Sequence, residues 1–261
     1  MEPEEKDSKQ EPFAPIASFF CALRFLTVIP VRWAAERDGQ LFPQSIYAFP
    51  MIGLLLSSIG ALVCWLTALI FPGNVTVFVS VMYLSSISGF LHLDGLADSA
   101  DGLLSARPRE RSLEIMKDSR TGAMGVVVLI LVLLGKYAAL TSMPVEKVML
   151  AVFCMPLAGR TAILFTMALH RYAREEGGLG GLFYSTRTRY AALGGLIMLL
   201  LVTWLAGGIG TAAIVIGVMA FTVFWFGNFC RTRIGGVTGD TLGAVCELTE
   251  MSVAMGLTAI F

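Results

Sequence analysis

Residues 123–169 read AMGVVVLILVLLGKYAALTSMPVEKVMLAVFCMPLAGRTAILFTMAL, two apolar runs parted by the short polar turn SMPVE. Spanning ~30 Å of hydrocarbon takes about 20 apolar residues in a helix, so 123–141 and 147–169 each read as a crossing segment. The same pattern continues on both sides. Further runs lie at 46–71, 75–93, 191–206, 209–230 and 241–261, which brings the candidate spans to seven. An eighth apolar stretch, 13–31, is interrupted by Arg24 and Pro30 and reads as a re-entrant or interfacial helix. The expected fold class is all-α, a polytopic integral membrane helix bundle. Residues 13–261 form one transmembrane catalytic domain behind a mobile polar tail, 1–12 (MEPEEKDSKQEP), which lacks the basic region and cleavage site of a signal peptide.

Composition agrees. Of 261 residues 56% are hydrophobic and only 15% charged, which excludes a soluble globular enzyme and a disordered chain. The 19 Lys and Arg balance the 19 Asp and Glu, so no global charge argues for nucleic acid as a partner, and the placement of charge becomes informative. Connections 32–44, 94–120, 170–190 and 231–238 hold 13 of the 19 basic residues, whereas the opposite short loops hold only Lys147. Basic residues accumulate on the cytoplasmic side, so these four connections are expected there. The 5 Cys have no metal-ligand spacing and read as packing thiols.

Two acidic clusters interrupt the apolar pattern. In Leu91-His92-Leu93-Asp94-Gly95-Leu96-Ala97-Asp98-Ser99-Ala100-Asp101-Gly102 the three carboxylates fall at offsets of 0, 4 and 7. At 100° per residue all three project from one helix face, within about 60°. Adjacent anions beside hydrocarbon call for a cation, and hard carboxylate oxygens suit Mg²⁺ or Mn²⁺. His92 lies about 160° from Asp94 and reads as a structural group. The second cluster, GGVTGDTLGAVCELTE at 235–250, carries Asp240, Glu247 and Glu250 in a sector of about 80° inside the last span. Ahead of them, Gly236 and Thr238 are placed for backbone amides to meet a phosphate at a helix start.

Between the clusters runs RPRERSLEIMKDSRTGAMG (107–125), with Arg111, Glu114 and Asp118 on one face and Lys117 and Arg120 bracketing Asp118. Carboxylates for a metal beside cations for anionic oxygens form the combination that phosphoryl transfer requires. Arg160 sits mid-span, where an unpaired charge is costly, and is expected to meet an acidic cluster or a substrate phosphate. Arg171 and Arg174, in the glycine-bearing loop 170–180, are further anion-binding candidates. Arg24 and Lys136 are ambiguous and fit snorkelling side chains.

The runs GFLHLDGLADSADGL (89–103), LEIMKDSRTGAMG (113–125), RYAREEGGLG (171–180) and GGVTGDTLGAVCELTE (235–250) resemble the cobalamin synthase family, the adenosylcobinamide-GDP ribazoletransferases. LRFLTVIPV (23–31) and FPMIGLLL (49–56) fit as well, so the resemblance extends over almost the whole chain beyond the tail. It implies a multi-pass enzyme of the cell inner membrane with its active site facing the cytoplasm. Its partners would be adenosylcobinamide-GDP, α-ribazole or its 5′-phosphate, and the lipid bilayer, with no nucleic acid and with Mg²⁺ as cofactor. A homo-oligomer or a complex with other cobalamin-assembly enzymes is left open. The ribose 3′-hydroxyl would attack the phosphorus on the cobinamide arm, and GMP would leave.

On this reading Asp94, Asp98 and Asp101, with Asp240 or Glu247, hold the metal, and Asp94 also draws the proton from the attacking hydroxyl. Lys117, Arg120 and Arg160 stabilise the transferring phosphate, and Arg171, Arg174, Gly236 and Thr238 bind substrate. Ala123-Met124 departs from the hydroxyl and aromatic or His expected there, so position 123 receives no role. Two alternatives share parts of this logic. A CDP-alcohol phosphatidyltransferase needs DG-x2-AR, whereas Asp94-Gly95-Leu96-Ala97 is followed by Asp98. A cation-coupled transporter would show inverted repeats, and no repeat is evident.

Overall fold

A computed structural model describes residues 14–174, 179–184 and 187–260, so the expected tail at 1–12 lies outside the described residues. Among them every regular element is a helix, and one isolated bridge joins Tyr172 and Val237. The helices are α1 (Pro15–Leu26), α2 (Asp38–Ser45), α3 (Phe49–Ala68), α4 (Gly73–Ser86), α5 (Leu91–Leu104), α6 (Arg109–Ile115), α7 (Ala123–Thr141), α8 (Val145–Leu169), α9 (Thr188–Ile234) and α10 (Gly239–Leu257). Helices α7, α8 and α9, and α3 with the turns that lead into it, are long and apolar enough to cross a membrane. Side chains such as Trp65, Ile130, Leu134, Ile197, Trp204, Phe221 and Phe224 stay exposed, as lipid-facing positions require.

Helix α9 has 47 residues, which would extend ~70 Å, more than twice the hydrocarbon thickness. It breaks at Gly208, whose φ of 81° a side chain would oppose. The break falls in the gap between the expected spans 191–206 and 209–230. A Cβ on Gly195 would meet Thr161, one on Gly207 would meet Leu150, and one on Gly227 would meet His170. The first half of α9 therefore runs antiparallel to α8, and the second half returns along it.

The expected span 75–93 is different. Helix α4 stops at Ser86, Gly89 and Phe90 take φ of 60° and 61°, and α5 leaves at 80° to α4. Neither 14-residue helix alone reaches across, at ~21 Å each, so the two form a bent pair. Helix α1, with 12 residues, is likewise too short to cross, in keeping with the expected interfacial segment. Arg24 does not snorkel. It pairs with Asp38 and donates to the Trp33 carbonyl at 2.9 Å.

Helix α10 packs against α5, α7, α8 and α9 and is the axis about which the site is built. The basic connections gather at its N-terminal end. Arg109 donates to the carbonyls of Ile234 (2.9 Å) and Ala173 (2.8 Å), and Arg233 donates to that of Leu103 (3.0 Å). The rings of Phe42 and Phe183 meet at 5.1 Å, which brings the α2 segment to the same end.

Candidate active site

Two glycines bring the acidic stretches together. A Cβ on Gly95 of α5 would lie 2.7 Å from the Asp240 carbonyl oxygen, and one on Gly243 of α10 would lie 3.2 Å from His92 Cα. Without side chains at either point the two helix backbones touch, and the face of α5 that carries Asp94 and Asp98 lies beside Asp240. Asp94 is exposed and Asp98 half-buried, with the carboxylates of Asp94, Asp240 and Asp101 as its electrostatic neighbours.

Asp101 is committed elsewhere. Its carboxylate accepts the backbone N–H of Gly122 at 2.7 Å and of Gly125 at 2.9 Å, so it caps α7, where unpaired amides and the helix dipole favour an anion. A Cβ on Gly122 or Gly125 would strike that carboxylate at 2.5 or 2.6 Å, which accounts for both glycines. Asp240 accepts from Arg174 Nη2 at 2.7 Å and from the Thr238 hydroxyl at 3.2 Å. Among the described residues, no three His, Cys, Asp or Glu side chains enclose a metal position, so Asp94, Asp98 and Asp101 are not drawn together with Asp240 or Glu247 into the expected ligand set. Asp94 and Asp98, one turn apart on a single face, remain. They fit Mg²⁺, which usually takes one or two carboxylates and completes its shell with water and substrate phosphates.

Glu247 and Arg160 lie apart from this group. Lys136 Nζ donates to Glu247 Oε2 at 2.8 Å and to Glu250 Oε2 at 2.6 Å, and Arg160 Nη1 donates to Glu250 Oε1 at 2.5 Å. All four side chains are at most 2% exposed. Two cations and two anions cancel inside the bundle and tie α7, α8 and α10 together. This geometry moves Glu247 out of the ligand set and Arg160 out of the substrate-binding set, and it gives Lys136 a buried partner instead of a snorkelling path.

The basic candidates divide in the same way. Arg120 is 86% exposed and pairs with Asp118 at 2.8 Å, and its guanidinium holds the Asp118 carboxyl down at about 2. Lys117 is exposed in a shallow cleft that also contains Arg109, Glu114 and Arg174. Arg171 donates through Nε to the Gly235 carbonyl at 2.7 Å. The Val237 N–H donates to the Arg171 carbonyl (3.0 Å) and the Ala173 N–H to the Val237 carbonyl (2.8 Å), so the loops that contain Arg174 and Thr238 form one short ladder. A Cβ on Gly236 would collide with the Arg171 carbonyl, so this glycine serves the ladder. Thr238 is the N-cap of α10, accepting from the Thr241 N–H at 3.3 Å while Thr241 answers with its own side chain.

A cavity of about 210 Å³ opens where these parts meet. Its wall includes Asp94, Asp240, Arg174, Tyr172 and His92, and its apolar floor includes Phe25, Phe49, Ile163, Met167, Phe183 and Leu242. Three buried polar atoms of the wall, His92 Nε2, Arg174 Nε and the Tyr172 hydroxyl oxygen, have no hydrogen-bond partner among the described residues. An orphaned buried polar atom costs roughly 1–3 kcal/mol, so three around one cavity leave hydrogen-bonding capacity that a ligand could take up. The Tyr172 hydroxyl lies beside the backbone amides of Gly181 and Gly239, and burial raises its pKa, which keeps it a donor. His92, read from the sequence as structural, lines the cavity and has Arg160 and Lys136 of the ion cluster as its charged neighbours. The cavity faces the first turn of α5, where residues from opposite sides of the helix reach the same space.

Comparison with known proteins bears on this arrangement. The family model described as cobalamin-5-phosphate synthase matches residues 18–258. A protein of Desulforamulus reducens named adenosylcobinamide-GDP ribazoletransferase is 38% identical over 90% of this chain and 93% of its own length. Proteins of the same name from Escherichia coli and Citrobacter koseri are 40% and 39% identical, each over 92% of this chain and 98% of its own length. No solved structure matches the chain.

Proposed function

Because the chain belongs to the cobalamin-5-phosphate synthase family, we propose that it joins adenosylcobinamide-GDP to α-ribazole, or to its 5′-phosphate, with release of GMP. The attacking ribose 3′-hydroxyl forms a bond to the phosphorus on the cobinamide arm. The bond from that phosphorus to the bridging oxygen breaks, and GMP leaves with the oxygen. Asp94, the exposed carboxylate of the pair on α5, takes the hydroxyl proton. Arg174, turned into the cavity by its bond to Asp240, holds diphosphate oxygens, with Lys117 beyond it in the adjoining cleft.

Asp94 and Asp98 would hold Mg²⁺. Bound there, it would supply positive charge to offset that of the diphosphate and the departing phosphate. Arg120, Arg160 and Glu247 have no part in the scheme. The basic connections at the site's end of the bundle support an inner-membrane protein whose site opens to the cytoplasm.

The observation that carries this reading is the cavity itself, in which orphaned donors, the Arg174–Asp240 pair and the free face of α5 converge. It is tested with purified protein in detergent, supplied with adenosylcobinamide-GDP and α-ribazole. GMP and the joined product are expected in equal amounts, with turnover lost to EDTA and restored by Mg²⁺. Asp94→Asn is expected to lower turnover by roughly 10²–10⁴-fold while the protein still inserts and folds. Failure of the wild type to release GMP would refute the reaction, and full activity of Asp94→Asn would refute the role of that residue.

A further inference from the structure

The transferase reading leaves open which part of the two large substrates enters the cavity. Its size excludes most of them. An apolar cavity of ~150 Å³ takes a benzene ring, so about 210 Å³ admits one bicyclic ring and no corrin macrocycle. The floor adds a chemical criterion. The ring of Phe183 lies 4.7 Å from that of Phe25 and 5.6 Å from that of Phe49, and Ile163, Met167 and Leu242 complete the lining. Guanine carries hydrogen-bonding groups around most of its edge and would leave them unpaired against such a floor. A benzimidazole carries one, the ring nitrogen not joined to the sugar.

Of the three unpartnered polar atoms in the wall, Arg174 Nε belongs to the guanidinium given to the diphosphate and the Tyr172 hydroxyl lies by the Gly181 and Gly239 amides, which leaves His92 Nε2 to answer it. His92 is 3% exposed, lines the cavity, and has Nε2 without a partner among the described residues. We propose that the cavity seats the base of α-ribazole, with His92 Nε2–H donating to the unsubstituted ring nitrogen of that base. With the base inward, the ribose lies at the rim beside Asp94, Arg174 and Asp240, where its hydroxyl meets the diphosphate. His92 is then the residue that selects the lower base, and the corrin ring stays outside the cavity. This assignment rests on the transferase reading for the identity of the ligand, and on the cavity alone for the place it binds.

The test compares α-ribazole with the isosteric 5,6-dimethylindole riboside, in which a C–H replaces the ring nitrogen. Binding of each to the detergent-purified protein is measured by calorimetry, and KM by GMP release. Leaving the buried nitrogen of His92 unpaired is expected to weaken the indole riboside on the order of 10- to 100-fold. His92→Leu should erase that preference by raising the KM for α-ribazole alone, with the KM for adenosylcobinamide-GDP unchanged. Met167→Phe, which fills the cavity and spares the imidazole, should weaken both ribosides and keep the preference between them. The seat is overturned if His92→Leu retains the preference, or if either variant weakens adenosylcobinamide-GDP instead of the riboside. Calorimetric discrimination between the ribosides without GMP release would keep the seat and overturn the reaction.

Discussion

Removing the charge of Glu250 tests the ion cluster at the centre of the bundle. In Glu250→Gln, Arg160 loses the carboxylate it meets at 2.5 Å, and Lys136 loses one of its two, at 2.6 Å. The cluster passes from neutral to a net charge of +1 among side chains at most 2% exposed. Breaking a buried pair by deleting one partner costs about 3–5 kcal/mol, because the remaining charge is left uncompensated. Glu247→Gln also leaves +1, but each cation still has Glu250, so the loss should resemble that of one charge-assisted hydrogen bond, about 1.5–3 kcal/mol. At roughly 2–4 °C per kcal/mol for a chain of this size, the first variant should melt ~6–20 °C lower and the second clearly less.

The double variant Arg160→Met, Glu250→Gln restores neutrality around Lys136 and Glu247 and should regain much of the loss. The assay is thermal unfolding in detergent, followed by intrinsic fluorescence and by monodispersity on gel filtration. Equal losses in the two single variants, or a double variant no more stable than Glu250→Gln, would refute the assignment of Glu250 as the shared partner.

Gly95→Ala should cost activity severely with the fold retained, since its Cβ would meet the Asp240 backbone at 2.7 Å, whereas Gly194→Ala, with nothing within 4 Å, should leave turnover unchanged and gain up to ~1 kcal/mol in helix stability. GMP-release assays and melts on both proteins check the contrast. Arg174→Ala should raise the KM for adenosylcobinamide-GDP, and Arg174→Lys should recover only part of it because the planar fork is lost; recovery to the wild-type value would argue against a guanidinium-specific contact. Arg120→Ala should leave turnover intact. The Asp118 carboxyl titrates at about 2, below its unfolded value of ~3.9, so whatever the pair contributes is complete above that value and lost only as pH falls through about 2. The melting difference between Arg120→Ala and wild type should accordingly be the same at pH 6 and pH 8.

The gross fold is legible in the sequence because hydrocarbon sets the length of each crossing. The boundaries of α3, α7 and α8 and the gap at Gly208 follow from run lengths alone. The turn at Gly89 and Phe90 does not, because the apolar run continues past it to Leu93 and hides two positive φ values. Helical spacing places Asp94 and Asp98 on one face, but the approach of Asp240 to that face rests on Gly95 and Gly243, whose contact only the structure reveals. Glu247 reads as a metal ligand because its cation, Lys136, lies 111 residues away, and an anion inside a span looks alike whether its partner is a metal or a lysine. Asp101 looked equivalent to its neighbours by angle, yet the amides of Gly122 and Gly125 claim it. The one available sign was the pair of glycines in TGAMG, which spacing rules for carboxylates do not weigh.

The ladder between the 171–173 and 235–237 backbones, clamped by Arg109 and Arg171, has a thermodynamic corollary. Arg174 and Asp240 sit at adjoining ends of that ladder, so a phosphate that draws the guanidinium away also releases the carboxylate from its partner. Occupancy by the nucleotide substrate and affinity for a cation at the neighbouring carboxylates should then rise and fall together, each titration shifting the midpoint of the other by the same factor.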